Sequence, residues 1–272
     1  MIETSLCVTS YNRPHKLKEV LSSFFKTCTY DLKKLELIIV DNGSTNQDVI
    51  EFIKSYSPPC EYRFILNEKN DYPNCLRYSK IQAREIAKGD FYIDCPDDHI
   101  FVVKTDWIER SIRRIRENKT TGCVCYYAHP LYRFSKPKNK MEIDKTDSDF
   151  CVSFYKGYGD FHIMSKEAYR DIGEYNYRLG RRAESEYMDR AIQTGYFRNK
   201  LVHPVAISMN DGLFGEGPIG FGLVRPIEES EYRSDLIGYM RKNYPQMIPF
   251  PMHNEALIEF CLKEGYIRIK NE

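Results

Sequence analysis

The sequence has no apolar run approaching the ~20 residues a membrane-spanning helix needs. It has no GxxxxGK[ST] phosphate loop. Its nine cysteines include no CxxC pair and no Cys/His spacing suited to zinc, so they read as reduced core thiols. Cys123 and Cys125 share one face of an expected strand but lack further ligands. Charge of one sign is missing too: 40 Lys and Arg balance 39 Asp and Glu to a net +1, which gives no global pull toward nucleic acid or anionic lipid. The first strand-to-helix turn, Thr9–Pro14, contains no glycine, which argues against the usual dinucleotide fold. Internal repeats and low-complexity linkers are absent. Ile2–Ser10 runs directly into an expected core strand, so a signal peptide is not expected and a cytoplasmic location is.

What is present suffices for a full core. Of 272 residues, 42% are hydrophobic, enough for one large domain or two intimately packed ones. The aromatic share of 14%, with 21 tyrosines, suits a stacking groove or a Tyr-rich core edge. Strand and helix signals alternate through the first hundred residues. Leu6–Ser10 reads as a strand. Pro14 opens a helix whose Leu17, Val20, Leu21, Phe24 and Phe25 share a face. Leu35–Val40 is a near-continuous apolar run, as in a strand covered on both sides. Asp41–Thr45 is a turn that can cap a helix around Gln47–Tyr56. Tyr62–Leu66 is a third strand, Pro73–Lys88 a helix, and Phe91–Asp94 a fourth strand. This order predicts an α/β fold around a parallel sheet.

The second half is less regular. Expected there are a helix over Trp107–Glu117, strands at Cys123–Tyr127, Phe161–Met164 and Leu201–Ser208, and a helix capped by Ser165 and ended by Gly173. Further helices are expected at Ser185–Thr194, stopped by Gly195, and at Asn254–Glu264. Gly215–Gly220 satisfies GxGxxG spacing, but Pro218 and a further glycine make a mobile loop the better reading. The basic loop Arg133–Lys145 and the helix Ile108–Lys119 could track a phosphate backbone, which keeps nucleic acid open as a partner.

The fourth strand ends in adjacent acids, Asp97 and Asp98. Two carboxylates at the end of a buried strand are costly without a positive partner. A divalent cation holding a phosphate is the natural candidate, and open α/β sheets bind ligands beyond the carboxyl ends of their strands.

Four blocks, in order, carry a family resemblance. They are Val8-Thr9-Ser10-Tyr11-Asn12-Arg13-Pro14, Leu37-Ile38-Ile39-Val40-Asp41-Asn42-Gly43-Ser44-Thr45, Ala87-Lys88-Gly89-Asp90-Phe91-Tyr92-Ile93, and Asp97-Asp98. Together with Ile163–Ala168, Ile172-Gly173-Glu174 and the acidic segment Arg182–Gly195, they resemble the GT-A fold glycosyltransferases of family 2. The likeness runs over about residues 4–210. It implies a Rossmann-like, mostly parallel sheet flanked by helices. Residues 1–104 would bind a nucleotide sugar, 105–212 would form the acceptor-binding and catalytic half of the same domain, and 213–272 would add a glycine-rich loop and a helical extension.

The resemblance also implies a chemistry: metal-dependent, inverting transfer of a sugar from a nucleoside-diphosphate donor, by preference UDP-linked, to a hydroxyl acceptor. A glycan or lipid-linked sugar is the default acceptor, with nucleic acid or protein as the alternatives. Thr9 and Tyr11 would line the base pocket, and Asp41 would accept the uracil imide N–H. Arg13, Arg77 and Lys80 are candidate partners of the base or diphosphate. Asp98 would hold Mn²⁺ or Mg²⁺, with Asp97 on the ribose or a metal-bound water and His99 in support. Pro96 stands where the family's first acid lies. His203 and Asp211 are candidate further ligands. Glu184 lines up with the catalytic base and Glu186 with the next acid, and two residues apart they cannot share a helical face. A nucleotidyltransferase and a non-catalytic binding module that keeps only the fold are the alternatives.

Overall fold

The structure, a computed structural model, describes residues 1–70, 77–101, 104–118, 121–125, 141–143, 150–153, 161–176, 183–201 and 205–208. The first half alternates as its periodicity predicts: β1 (Thr4–Ser10), α1 (Pro14–Thr27), β2 (Leu35–Asp41), α2 (Gln47–Ser55), β3 (Glu61–Leu66), α3 (Arg77–Ile86) and β4 (Phe91–Pro96). Then come β5 (His99–Phe101), α4 (Trp107–Glu117), β6 (Thr121–Cys125), β7 (Met141–Ile143) and β8 (Phe150–Ser153). The described chain closes with β9 (His162–Ser165), α5 (Lys166–Ile172), α6 (Ala183–Gln193), β10 (Phe197–Leu201) and β11 (Ala206–Ser208).

Among the described residues one sheet runs in the order β3-β2-β1-β4-β9-β6-β10-β8-β7. Its β3-β2-β1-β4 portion is parallel throughout. Every residue of β1 and β2 is buried, which explains their apolar runs. Alternate side chains take opposite faces. Leu6 and Val8 of β1, with Leu35, Leu37 and Ile39 of β2, meet the apolar faces of α1, α2 and α4. Cys7, Ile38 and Val40 meet Ala83 and Ala87 on and just beyond α3. α5 and α6 extend that second layer through Ala168, Ile172, Tyr187 and Ala191.

The second half departs from a simple parallel count. β9 inserts antiparallel between β4 and β6. The stretch expected as one strand, Leu201–Ser208, is two: Leu201 ends β10 in the main sheet, while β11 pairs with β5 in a separate ribbon. Pro204 lies between them, and a proline cannot donate to a central ladder. α2 is capped by Asn46, whose side chain accepts from the Asp48 amide, and not by the Asp41–Thr45 turn. Ser165 caps α5 as expected, accepting from the Ala168 amide at 3.0 Å. Pro73 and the expected helix Asn254–Glu264 fall outside the described residues, as does the glycine-rich segment.

A buried acid fastens the turn into β4. Glu36 is fully buried and accepts from the Ser5 hydroxyl, from the Lys88 amide at 2.6 Å and from the Gly89 amide at 3.3 Å, while Arg63 pairs with its other oxygen. A Cβ on Gly89 would come within 2.7 Å of Ser5 Oγ, so this close approach needs glycine. Burial raises the Glu36 pKa, but the bonds from Ser5, Arg63 and Lys88 outweigh it and hold it below the ordinary 4.5. Its contribution is therefore present above that value and lost as pH falls through the folded pKa. Glu36→Ala is expected to lower stability by about 3 kcal/mol at pH 7. Urea unfolding at pH 7 and pH 4 checks this, with a smaller loss expected in acid.

Candidate active site

The carboxyl ends of three adjacent parallel strands, β2, β1 and β4, present the residues that the sequence motifs single out. Ser10 ends β1 and is the register partner of Asp41 at the end of β2. Thr9 is buried, and its neighbours across the sheet are Val40 and Pro96. Tyr11 is half-buried in the loop that follows.

Three loops interlock there. Asn12 adopts φ +53°, a left-handed conformation that asparagine tolerates. Its side-chain oxygen accepts from the amides of Thr45 at 2.8 Å and Asn46 at 3.0 Å, while its own amide donates to Ser44 Oγ at 2.8 Å. Asp41 accepts from both the amide and the hydroxyl of Ser44. Gly43 has φ +74°, and a Cβ there would lie 2.3 Å from the Lys69 carbonyl carbon. The Asn70 side chain donates to the Asn42 carbonyl at 3.1 Å, closing the third loop over the second. Asp41 thus shapes its own turn, and its oxygens keep lone pairs for a further donor.

The acid pair carries its own cation. Arg13, at the entrance of α1, pairs with Asp97 Oδ1, and its other terminal nitrogen lies 3.9 Å from Asp98 Oδ2. Ser10 Oγ donates to Asp97 Oδ2 at 2.8 Å. Asp97 has no exposed surface and both its oxygens are engaged, so it holds Arg13 and Ser10 in place. Asp98 is the more accessible acid, at 8%. His99 Nδ1 sits 2.9 Å from Asp98 Oδ1, with its ring against Phe161. Among the described residues the ring's other nitrogen, which is buried, has no hydrogen-bond partner.

Desolvation raises the Asp97 pKa to about 6, against the pull of Arg13, and the Asp98 charge adds to the rise. Between the ordinary value of 3.8 and about 6, the folded protein keeps a proton that the unfolded chain has lost, so stability falls as pH rises through that window. Asp97→Asn is expected to raise stability at pH 7.5 by up to about 3 kcal/mol, a gain that fades toward pH 4. Paired urea titrations at the two pH values measure it; a variant less stable at pH 7.5 contradicts it.

Behind this site, Lys80 of α3 is buried, with Nζ 5.8 Å from the Tyr175 ring centre. Arg77 opens α3, and its side chain is outside the described residues. Glu186 on α6 is bound by Arg190 through 2.7 and 3.1 Å contacts, and Arg190 in turn donates to the carbonyls of Ile172 and Glu174. Its carboxylate is thus committed to fastening α6 against α5. Glu184 lies in the first turn of α6, and its side chain is outside the described set. His203 and Asp211 also lie outside it. The neighbouring β11 strand brings Ser208 into register with His99.

Ser10, Asn12 and Ser44 stand in the motif blocks, but their part in joining the loops was not readable from the sequence, because only the loop crossing shows what they bind. The buried trio Arg84, Asp94 and His162 was missed as well. An aspartate inside an otherwise apolar strand was the available signal.

Among the described residues no three His, Cys, Asp or Glu side chains converge on a metal position. The donors still suit Mn²⁺ or Mg²⁺, which bind through one or two carboxylates plus substrate phosphates. Asp98, steadied by His99, offers one such hard ligand. A cavity of about 440 Å³ lies at the other ends of the strands, beside Glu3, Tyr30 and Arg116. Its Glu3 already pairs with Arg116 and Lys34, and it is remote from the strand ends where this fold binds ligands. No described helix is long and apolar enough to cross a membrane.

The profile of glycosyl transferase family 2 matches residues 5–178. The chain therefore belongs to that family and carries a glycosyltransferase domain of the GT-A fold. Solved structures with the same fold include Staphylococcus aureus TarS (14% identity, TM-score 0.60, 79% of this chain and 38% of TarS). A shorter TarS chain, residues 1–349, is solved with UDP. The mannosyltransferase PcManGT of Pyrobaculum calidifontis, with GDP-Man and Mn²⁺, matches at 15% identity and TM-score 0.56, over 97% of this chain and 70% of its own. GalNAc-T7 with UDP, GalNAc and Mn²⁺ matches at 16% and 0.57, over 76% of this chain and 43% of its own. The chain thus spans well under two thirds of TarS. A comparison with curated proteins finds no significant match.

Proposed function

We propose that this protein transfers a glycosyl group from a nucleoside-diphosphate sugar, UDP-linked by preference, to a hydroxyl of a saccharide or lipid-linked glycan, with inversion. The observation that carries the reading is the meeting of Asp41, Arg13 and the Asp97–Asp98–His99 run at the ends of three adjacent parallel strands. Thr9 and Tyr11 border the base, and Asp41 accepts the imide N–H of uracil. Asp98, buttressed by His99, holds Mn²⁺ or Mg²⁺, with His203 and Asp211 as further candidates. A divalent metal held there would supply charge neutralisation for the departing diphosphate. Arg13, held by Asp97, lies beside that position, and Arg77 and Lys80 of α3 are further candidate partners of the base or diphosphate. Asp97 acts on the donor through Arg13. Glu184 takes the proton of the acceptor hydroxyl as its oxygen attacks the anomeric carbon. Structures of fold relatives holding UDP or GDP-Man, two of them with Mn²⁺, support the donor class and the metal.

Thermal unfolding with UDP and Mn²⁺ tests the donor assignment. At a hundredfold excess over Kd the gain is about 2.7 kcal/mol, or roughly 5–10 °C in Tm for a chain this size. An unchanged Tm at millimolar UDP and Mn²⁺ overturns it.

A further inference from the structure

We propose that Arg84 is a positioning residue that docks α6, the helix carrying Glu184, onto the donor-binding half of the fold. The proposal rests on the glycosyltransferase reading above for its catalytic consequence. Its structural basis is a charged cluster with almost no solvent contact. Arg84 on α3 is 3% exposed and Asp94, in the middle of β4, 1%. Arg84 Nη2 donates to Asp94 Oδ2, and His162 Nε2 of β9 lies 3.3 Å from the same oxygen. Among the described residues Arg84 Nε and Nη1 and Asp94 Oδ1 have no hydrogen-bond partner. The guanidinium faces rings instead: its carbon lies 4.4 Å from the centre of Tyr169, 4.8 Å from Tyr175 and 5.9 Å from Tyr187.

Those three rings come from α5, from the segment after it and from α6. Tyr187 is fully buried, stacks on Tyr175 at 4.2 Å and 29°, and donates to Met164 Sδ at 3.3 Å. It stands three residues after Glu184. Asp94 stands three residues before Asp97. One planar cation therefore links the strand that leads into the acid pair with the helix that carries the candidate base. Arg190 fastens α6 to α5; Arg84 fastens both to α3 and β4.

Stability alone does not explain the pair. A buried ion pair with unpartnered atoms pays a desolvation penalty, and apolar side chains of similar volume are often neutral or stabilising in its place. What such side chains lack is the fixed plane and direction of a guanidinium held by a carboxylate. That is what a site needs when two halves must be registered closely, since a misplacement of about 1 Å can cost about 100-fold in rate.

The decisive variant is the apolar double substitution Arg84→Met with Asp94→Leu. UDP-GlcNAc and GDP-mannose serve as donor probes, with release of the nucleoside diphosphate as the rate and UDP titration calorimetry as the binding readout. The double variant is expected to keep the wild-type Tm and UDP affinity. Its kcat is expected to fall about 100-fold with donor KM unchanged, and amide exchange across residues 183–193 to accelerate. A folded double variant with wild-type kcat and wild-type exchange overturns the proposal. Should it fail to fold, Arg84→Lys decides: it keeps a charge beside Asp94 without the plane on three rings. Lowered kcat with intact UDP binding then supports the role, and wild-type kcat removes it. Should the wild-type protein release nothing from either donor, the functional reading is what fails for these donors. Exchange at α6 still settles the docking, faster exchange supporting it and unchanged exchange overturning it.

Discussion

Asp98→Ala is expected to reduce transfer about 100- to 1,000-fold while leaving the fold intact. Metal neutralisation of a leaving diphosphate supplies several kcal/mol at the transition state, and each 1.36 kcal/mol is tenfold in rate. Asp98 is the less deeply buried member of its pair, and the Arg13–Asp97 and Ser10–Asp97 contacts do not run through it, while His99 Nδ1 loses its carboxylate partner. The substitution should therefore abolish the Mn²⁺-dependent part of the thermal shift with UDP and lower the ligand-free Tm by only a few degrees, the cost of the unpaired His99 nitrogen, about 1–3 kcal/mol. Activity that survives at wild-type level would remove Asp98 from the metal position.

Glu184→Gln is expected to lower transfer about 100- to 10,000-fold, the range in which general base catalysis acts. Glutamine keeps the length and polarity of the side chain but cannot take a proton at neutral pH. The proposed donor site is built from the strand ends of β1, β2 and β4, so the affinity for UDP with Mn²⁺ should not change. Glu186→Gln gives the contrast. Its carboxylate is held by Arg190, so that change should loosen the bond between α6 and α5 and lower Tm with a smaller effect on rate. Equal turnover of Glu184→Gln and wild type would take the base role from Glu184.

Much of the local structure was legible along the chain. Pro14 at the first turn of α1, the apolar β2 run, Ser165 as a cap and Gly173 as a stop all act on near neighbours, and each stands where it was expected. The four motif blocks also converge, because consecutive parallel strands bring their carboxyl ends to one side of a sheet. The acid pair was legible as a site but not in its division of labour. The positive partner expected beside it was a divalent metal, whereas Arg13, expected on the base or diphosphate, pairs with Asp97; and Asp97, expected to meet the ribose, has no exposed surface. The second half was harder to read because strand direction leaves no mark in periodicity. β9 alternates like any strand, yet it runs against both neighbours.

By itself the sequence determined the alternation of strands and helices, the caps and stops at their ends, and the acids that leave the fourth strand. All of these follow from side-chain period, backbone preference and contacts within a few residues. Only the tertiary structure decided which acid is fully sealed and which keeps a little exposure, and that Arg13 pairs with them. The same holds for the ring cluster that receives Arg84. Arg13 and Asp97 are 84 residues apart, and Tyr187 is farther still from Arg84. Burial and charge pairing at such separations are fixed by how the layers pack around the sheet, and no local pattern encodes that.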